Sequence, residues 1–439
     1  MRFLYLVGGD HVPLGGATLR DAAFVHGLVN SGHKVDALSI FGLAWEEGEN
    51  GPSPLFASPR PFSSERLATR IEQASASVFD FVRNSVWTDG RKKSSVQRTM
   101  RTGRMVVDAL SGPKGRRHRE FFRLIQALAK RPGKADVAIL SNFMLSGLAR
   151  AIREQVGCPI VCLSQGEENV IESLPEPFRF QARRLVRENA RQFGRVAPAS
   201  ENSAILAMET LAIPMSRVRV APPGVAVGPG TPIRRRRSPF VVGFIVPPHI
   251  VGEIDAIVSA VENLAGKRRP MTTELWLAGC PEDLGGKGGI LKRLAVSSLG
   301  SRLRLFPRLP AEERGKFLAG ISVFAVPGPS RDADMPNMLA AMAAGIPVVG
   351  SDLGTFREIV SRVPGGVMLP GHAAPWMIAQ ALEYLADRPD TADELGRIGA
   401  EGMTRHFSLE KSAGRLIAIA RELFANRGGQ AGGEAAPGQ

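Results

Sequence analysis

A chain of 439 residues, 44% hydrophobic and 22% charged, can bury sizeable cores, which excludes a disordered polypeptide and a small disulfide scaffold and makes two α/β domains the natural expectation. Its three cysteines, Cys158, Cys162 and Cys280, show no metal-ligand spacing, and the first two lie in or beside an apolar run, so buried thiols in a reducing cytoplasm are expected. The formal charge of +14 admits anionic partners, but with only two tyrosines and no recognition motif beside it, nucleic acid is not expected. No apolar run approaches the ~20 residues that span a bilayer, and Phe3–Val7 closes at Gly8-Gly9 too early for a signal peptide.

In chain order, Phe3–Val7 reads as a strand, and the loop GGDHVPLGGATLR leads to a helix over Asp21–Asn30 and a strand over Val35–Ser39. The loop lacks G-x-G-x-x-G, so no dinucleotide fingerprint is present. Gly15-Gly16 at the helix entrance permits either a plain tight turn or the close approach of a ligand. Pro52, Pro54, Pro59 and Pro61 forbid a long helix after Gly42. Between Arg83 and Lys134 there are 15 basic against 3 acidic side chains, a net of +12 set against +14 for the whole chain. Within that segment Phe121, Phe122, Leu124, Ile125 and Leu128 recur at helical spacing among arginines. Such a helix either lies on an anionic membrane surface or turns its apolar stripe into a core, and periodicity alone does not separate the two. Strands follow at Ala135–Leu140 and Pro159–Leu163, with helices over Ser146–Val156 and Gln181–Arg195. A short strand is expected at Val218–Ala221.

Pro222-Pro223-Gly224 and the arginine run before Ser238 read as a linker, dividing a first domain (1–222) from a second (239–410) across 223–238. In the second half, strands at Phe240–Val246, Glu274–Ala278, Leu303–Phe306 and Ile321–Val326 alternate with helices, and alternation in both halves predicts two doubly wound parallel sheets facing a cleft. An amphipathic segment, 411–426, is expected to pack on the first domain, and 427–439 reads as a disordered tail.

The stretch Val326–Val360 carries the most chemistry. A strand ends in a Pro/Gly/Asp loop, a helix of small residues begins near Asn337, Met338 and Leu339 and stops at Gly345, and Ile346-Pro347 opens the next strand. In such a βαβ unit the loop and the helix start face the carboxyl ends of the strands, where a diphosphate can sit.

The run A-M-A-A-G-I-P-V-V-G-S-D-L-G, followed by Arg357-Glu358-Ile359-Val360, resembles the nucleotide-sugar site of the retaining GT-B glycosyltransferases of family 4. The resemblance implies the GT-B fold, a nucleotide-sugar bound by the second domain, and a glycan or lipid-linked acceptor at the first. It implies transfer with retention, in which the donor phosphate helps deprotonate the acceptor, so no metal and no cofactor are required. Bacterial surface polysaccharide or glycoconjugate synthesis in the cytoplasm, peripheral to the inner face of the membrane, is the setting it suggests. By this resemblance Gly15 and Gly16 form a glycine loop facing the cleft. Gln165 stands where the family often has a histidine, beside Glu167, and Arg20 lies on the acceptor side. A family carboxylate near the donor sugar falls on Asp332, with Asp334 as the alternative, and backbone N–H groups of Asn337, Met338 and Leu339 would hold the diphosphate.

Three positions depart from the family pattern. Phe244 and His249 stand where an arginine and a lysine hold the diphosphate, and Ala340 replaces the acid that binds the ribose. On this reading Phe244→Arg with His249→Lys would tighten donor binding. Asp332-Ala333-Asp334 mimics a metal-binding D-x-D but also fits a turn. Two functions stand on these residues: a glycosyltransferase, and a catalytically silent GT-B protein serving as a binding or partner module.

Overall fold

The computed structural model describes residues 1–7, 16–39, 95–115, 118–130, 133–164, 166–227, 238–246, 252–267, 272–279, 290–306, 309, 311–328, 332 and 334–431. Two compact units divide the chain. One holds Met1–Val12, Phe24–Pro222 and Ser412–Gln439, and the other holds Pro13–Ala23 and Pro223–Lys411.

The first unit is built on short, continuously apolar strands, the pattern of a sheet covered on both faces. These are β1 (Arg2–Val7), β2 (Lys34–Ser39), β3 (Val137–Leu140), β4 (Ile160–Ser164) and β5 (Arg195–Pro198). They pair in parallel in the order β2-β1-β3-β4-β5, with Tyr5 opposite both Ala37 and Ile139. Strand periodicity sends Leu4 and Leu6 into one core with Leu110 and Leu148, and Phe3 and Tyr5 into another with Phe24, Leu28, Leu416 and Ala420. The last two belong to the helix Leu409–Ala431, which packs on this sheet; Glu422 there accepts from Arg195 at 2.6 Å and Arg219 at 2.9 Å.

The basic segment resolves one of the sequence's alternatives. Helices cover Ser95–Ser111 and His118–Ala129, and Leu124, Ile125 and Leu128 are buried in the first core, while Phe122 stays exposed. The stripe offered as a membrane-facing surface is therefore spent on the protein's own core. Arg83 and its neighbours to 94 lie outside the described residues, and no helix among the described residues is long and apolar enough to cross a membrane.

The second unit contains β6 (Phe240–Ile245), β7 (Thr273–Ala278), β8 (Leu303–Phe306), β9 (Val323–Val326), β10 (Val348–Ser351) and β11 (Gly366–Leu369), ordered β11-β10-β9-β6-β7-β8. All are parallel. The strand order reverses between β6 and β9, and ligands of doubly wound sheets bind beyond the carboxyl ends of the strands at such a reversal.

Several boundaries differ from the pattern reading. The helix expected over Gln181–Arg195 runs Phe178–Ala190, because Arg195 already pairs with Val161 in the sheet. Residues 143–156 form irregular helical turns ending at Gly157, whose φ of 73° serves as a left-handed cap. Val218 makes a single bridge to Val196 in place of a strand. The last helix continues to Ala431, into the segment read as tail, since propagation adds one hydrogen bond per residue once a helix is anchored. The linker residues 228–237 lie outside the described residues.

One helix packs through bare backbone. Within Pro389–His406, a Cβ on Gly396 would lie 1.9 Å from the Gly345 carbonyl oxygen, and Gly345 itself caps the helix Met335–Ala343 at φ 71°. Gly396→Ala is therefore expected to lower stability by about 2 kcal/mol or more, where an unhindered helical site gains from the same change. A denaturant titration of the two proteins measures the difference.

Charge also ties the second unit. Glu262 accepts from Arg293 at 2.6 and 3.2 Å, from Ser297 Oγ at 2.7 Å and from the Ser298 N–H at 2.9 Å. The Arg293 hydrogen bond, foremost, holds its carboxyl down from 4.5 to about 2. A depressed folded value stabilises above the unfolded pKa and is lost as pH falls through the folded one. The wild type should thus lose about 1–3 kcal/mol between pH ~5 and ~2 that Glu262→Gln lacks at every pH, as followed by acid-dependent melting.

Candidate functional site

The carboxyl edge of the second sheet gathers Asp332, Asp334, Asn337, Met338 and Leu339 of the residues singled out in the sequence. At the tips of β9 and β10, Ser351 Oγ donates to the Pro327 carbonyl at 3.2 Å. Gly350 has no room for a side chain, since a Cβ would sit 2.7 Å from both the Val326 carbonyl oxygen and the Phe356 ring. Glu253, in the first turn after β6, lies against Gly328, so this edge is closely packed where the strand order reverses. Asp332 is 5% exposed and its Oδ1 accepts from Thr355 Oγ1 at 2.9 Å. Thr355 is placed there by the turn at Gly354, which adopts φ 55° to start the helix Gly354–Arg362. The result is a buried, oriented carboxylate on the loop between β9 and the helix Met335–Ala343.

Asp334 stands at the N-cap of that helix with an intermediate exposure, and makes no side-chain cap bond. The helix start differs from the expectation for an amide cradle. The N–H groups of Asn337 and Met338 donate to the Asp334 carbonyl at 3.1 and 3.2 Å, that of Met335 donates to Asp332 at 3.2 Å, and Pro336 has none. The side chains of Met338 and Leu339 are buried in packing at 1% and 0% exposure. A tight turn across 332–335 moves the helix start forward and uses the amides of Asn337 and Met338 internally, which spacing from Gly345 did not reveal. What remains at the surface of the first turn is the Asn337 side chain, half-buried, whose Oδ1 accepts from Arg314 Nη2 at 2.7 Å. Arg314 was not singled out in the sequence. A cation at a position flanked by Phe317 and Leu318 in an amphipathic helix was the available signal.

Phe244, where the resemblance led to an arginine being expected, is 3% exposed and belongs to the apolar core with Val242 and Val246. Ala340 lies inside the helix Met335–Ala343. His249, Gly15 and Gln165 lie outside the described residues, and Gly16 opens the helix Gly16–Asn30. In that helix Arg20 and Asp21 are both buried and paired at 3.0 Å. At the end of β4, Glu167 begins a short helix, but the neighbouring Glu168 is the buried acid and accepts from Ser164 Oγ at 2.7 Å. Asp352 and Arg357 form an exposed two-point pair at 2.7 and 3.1 Å, in which Arg357 holds the carboxyl below its usual range. Among the described residues no group of three or more His, Cys, Asp and Glu side chains could share a metal ion.

Residues 240–388 match the family model described as glycosyl transferases group 1. The chain is 28% identical over 312 residues to the D-inositol 3-phosphate glycosyltransferase of Paenarthrobacter aurescens, covering 66% of this chain and 73% of that protein. Among solved structures, it is similar to TarM of S. aureus in a complex with fondaparinux, α-GlcNAc-glycerol and UDP, with a TM-score of 0.64 at 12% identity over 95% of this chain and 99% of that one. It is also similar to HepE of Anabaena in complex with UDP, with a TM-score of 0.60 at 14% identity over 96% of this chain and 100% of the other. The matched residues include β6, Asp332, Asn337 and the whole carboxyl edge described above. With two parallel-sheet units and a match to the group 1 glycosyl transferase model over 240–388, the chain is a glycosyltransferase of the GT-B fold.

Proposed function

We propose that this enzyme transfers a sugar from a nucleotide-sugar donor, with retention, to a glycan or lipid-linked acceptor in bacterial surface polysaccharide or glycoconjugate synthesis. The observation that carries the reading is the buried Asp332 carboxylate, oriented by Thr355 in the segment between β9 and the helix Met335–Ala343, at the edge where the strand order reverses. Two supports accompany it: structures of the same fold are held with UDP, and a stretch of 91 residues is 31% identical to a lipopolysaccharide core mannosyltransferase of Rhizobium meliloti, covering 20% of this chain and 25% of that protein.

In this reading Asp332, or Asp334 in its place, accepts hydrogen bonds from the donor sugar, with Thr355 fixing the Asp332 rotamer. The first turn at Asn337 meets the diphosphate together with His249, Gly15 and Gly16. Gln165, Glu167 and Arg20 belong to the acceptor side, where Gln165 can hydrogen-bond a hydroxyl but carry no proton. The donor phosphate receives the acceptor proton, so catalysis consists of positioning and of stabilising the leaving diphosphate, with neither a metal nor a dedicated base. A thermal-shift panel tests the reading, because a ligand that binds only the folded chain raises the midpoint by mass action. One class among UDP-, GDP- and ADP-sugars should raise it, undiminished by a chelator; loss of the shift on chelation would require a metal.

A further inference from the structure

The helix Ala311–Gly320 carries Arg314 near its start, and that guanidinium is more than nine-tenths buried at 8% exposure. Its Nη2 donates to Asn337 Oδ1 at 2.7 Å and to the Pro336 carbonyl at 3.4 Å, while its Nε has no partner. No carboxylate among the described residues pairs with it, and burial alone lowers its pKa to about 10. A buried cation without a counter-ion is costly, since water solvates it far better than two neutral oxygens do.

The geometry gives the cation a use. Because Arg314 donates to Oδ1, the Asn337 carboxamide is oriented with Nδ2 as its other arm, and that amino group has no partner among the described residues. Asn337 is half-buried in the first turn after β9, beside the strand-order reversal, and the backbone amides of that turn are already engaged by Asp334 and Asp332. A carboxamide whose oxygen accepts from a charged donor gives a more polarised N–H, as hydrogen bonds in series strengthen one another.

We propose that Arg314 is a positioning residue that locks and polarises Asn337, so that Nδ2 donates to an anionic oxygen of the donor's diphosphate. The pair conveys positive potential to the ligand through a neutral side chain, at a site where the family arginine position is occupied by the buried Phe244. This inference rests on the donor-site reading above.

The test uses the full chain with inorganic pyrophosphate, which has a diphosphate and no base, alongside a UDP-sugar, a GDP-sugar and an ADP-sugar. In the asparagine-labelled protein, pyrophosphate should shift the Asn337 side-chain N–H signals. Asn337→Asp would give Arg314 a carboxylate partner, so its melting midpoint should hold or rise while pyrophosphate binding weakens about tenfold or more. Arg314→Met should weaken binding about 5- to 30-fold, with partial rescue by Arg314→Lys. Unchanged affinity in a folded Asn337→Asp, or no shift of Asn337 by pyrophosphate, overturns the proposal even if a nucleotide-sugar binds. Conversely, pyrophosphate that shifts Asn337 in the wild type and binds about tenfold or more weakly to a folded Asn337→Asp supports it even if no nucleotide-sugar binds, in which case the donor reading fails alone.

Discussion

Phe244→Arg is expected to unfold the second unit before it can strengthen any grip on an anion. Strand periodicity places Phe240, Val242, Phe244 and Val246 on one face of β6, and that face is packed against Ile254, Ile257 and Val258 in the core. Deleting a buried phenyl ring costs about 3–5 kcal/mol, and a guanidinium left without partners among these residues adds the penalty of a buried charge. The total, about 5 kcal/mol or more, is comparable with the whole stability of a typical domain. Denaturant unfolding should show the midpoint falling far below that of Phe244→Leu, a smaller apolar change at the same place. A folded Phe244→Arg protein with tighter donor binding would instead mean that β6 can turn this side chain toward the edge. The expectation that an arginine here restores the family site thus yields to the packing: this chain has committed position 244 to its core.

The second large effect concerns Asp332. Its carboxylate is buried, and a hydrogen bond from Thr355 Oγ1 at 2.9 Å orients Oδ1 while leaving the charge on the carboxylate as a whole. Asp332→Asn preserves the size of the side chain and an oxygen to accept from Thr355. It removes the negative charge and replaces one acceptor with a donor, so a sugar hydroxyl placed against it loses its partner. Removing one such positioning contact in a water-poor site is expected to lower the transfer rate about 10²- to 10³-fold, about 3–4 kcal/mol in the barrier. Stability should change much less, and Thr355→Val should give a smaller loss because it releases the rotamer without removing the charge. Steady-state rates with melting midpoints on both variants separate these outcomes. If Asp334→Asn abolishes turnover while Asp332→Asn leaves it intact, the roles of the two acids are reversed.

The architecture was readable because its strands are short apolar runs and its helices begin and end at strong punctuation. Gly345 stops a helix at φ 71°, as the sequence suggested, and the next strand opens at Val348, just past the expected Ile346-Pro347. The site was harder to read for physical reasons tied to particular residues. A tight turn engages the amides of Met335, Asn337 and Met338, and which carbonyls they reach depends on the three-dimensional course of the loop, which spacing along the chain does not encode. Arg314 lies 23 positions from its partner Asn337, so no local pattern joins them. Phe244 looks like a lost ligand in a motif and like a core residue in a strand; burial decides for the second. The apolar stripe at Leu124, Ile125 and Leu128 had two equal readings because amphipathicity does not say whether lipid or protein lies opposite, and here it is protein.

The central claim is that the second unit binds a nucleotide-sugar at its carboxyl edge. Titration calorimetry of the full chain with UDP-, GDP- and ADP-sugars measures it most directly. The account predicts saturable heat with one nucleotide class, weakened about tenfold by Asn337→Asp. No heat with any of the three, from protein that melts cooperatively, would contradict it and leave a GT-B protein that binds something else.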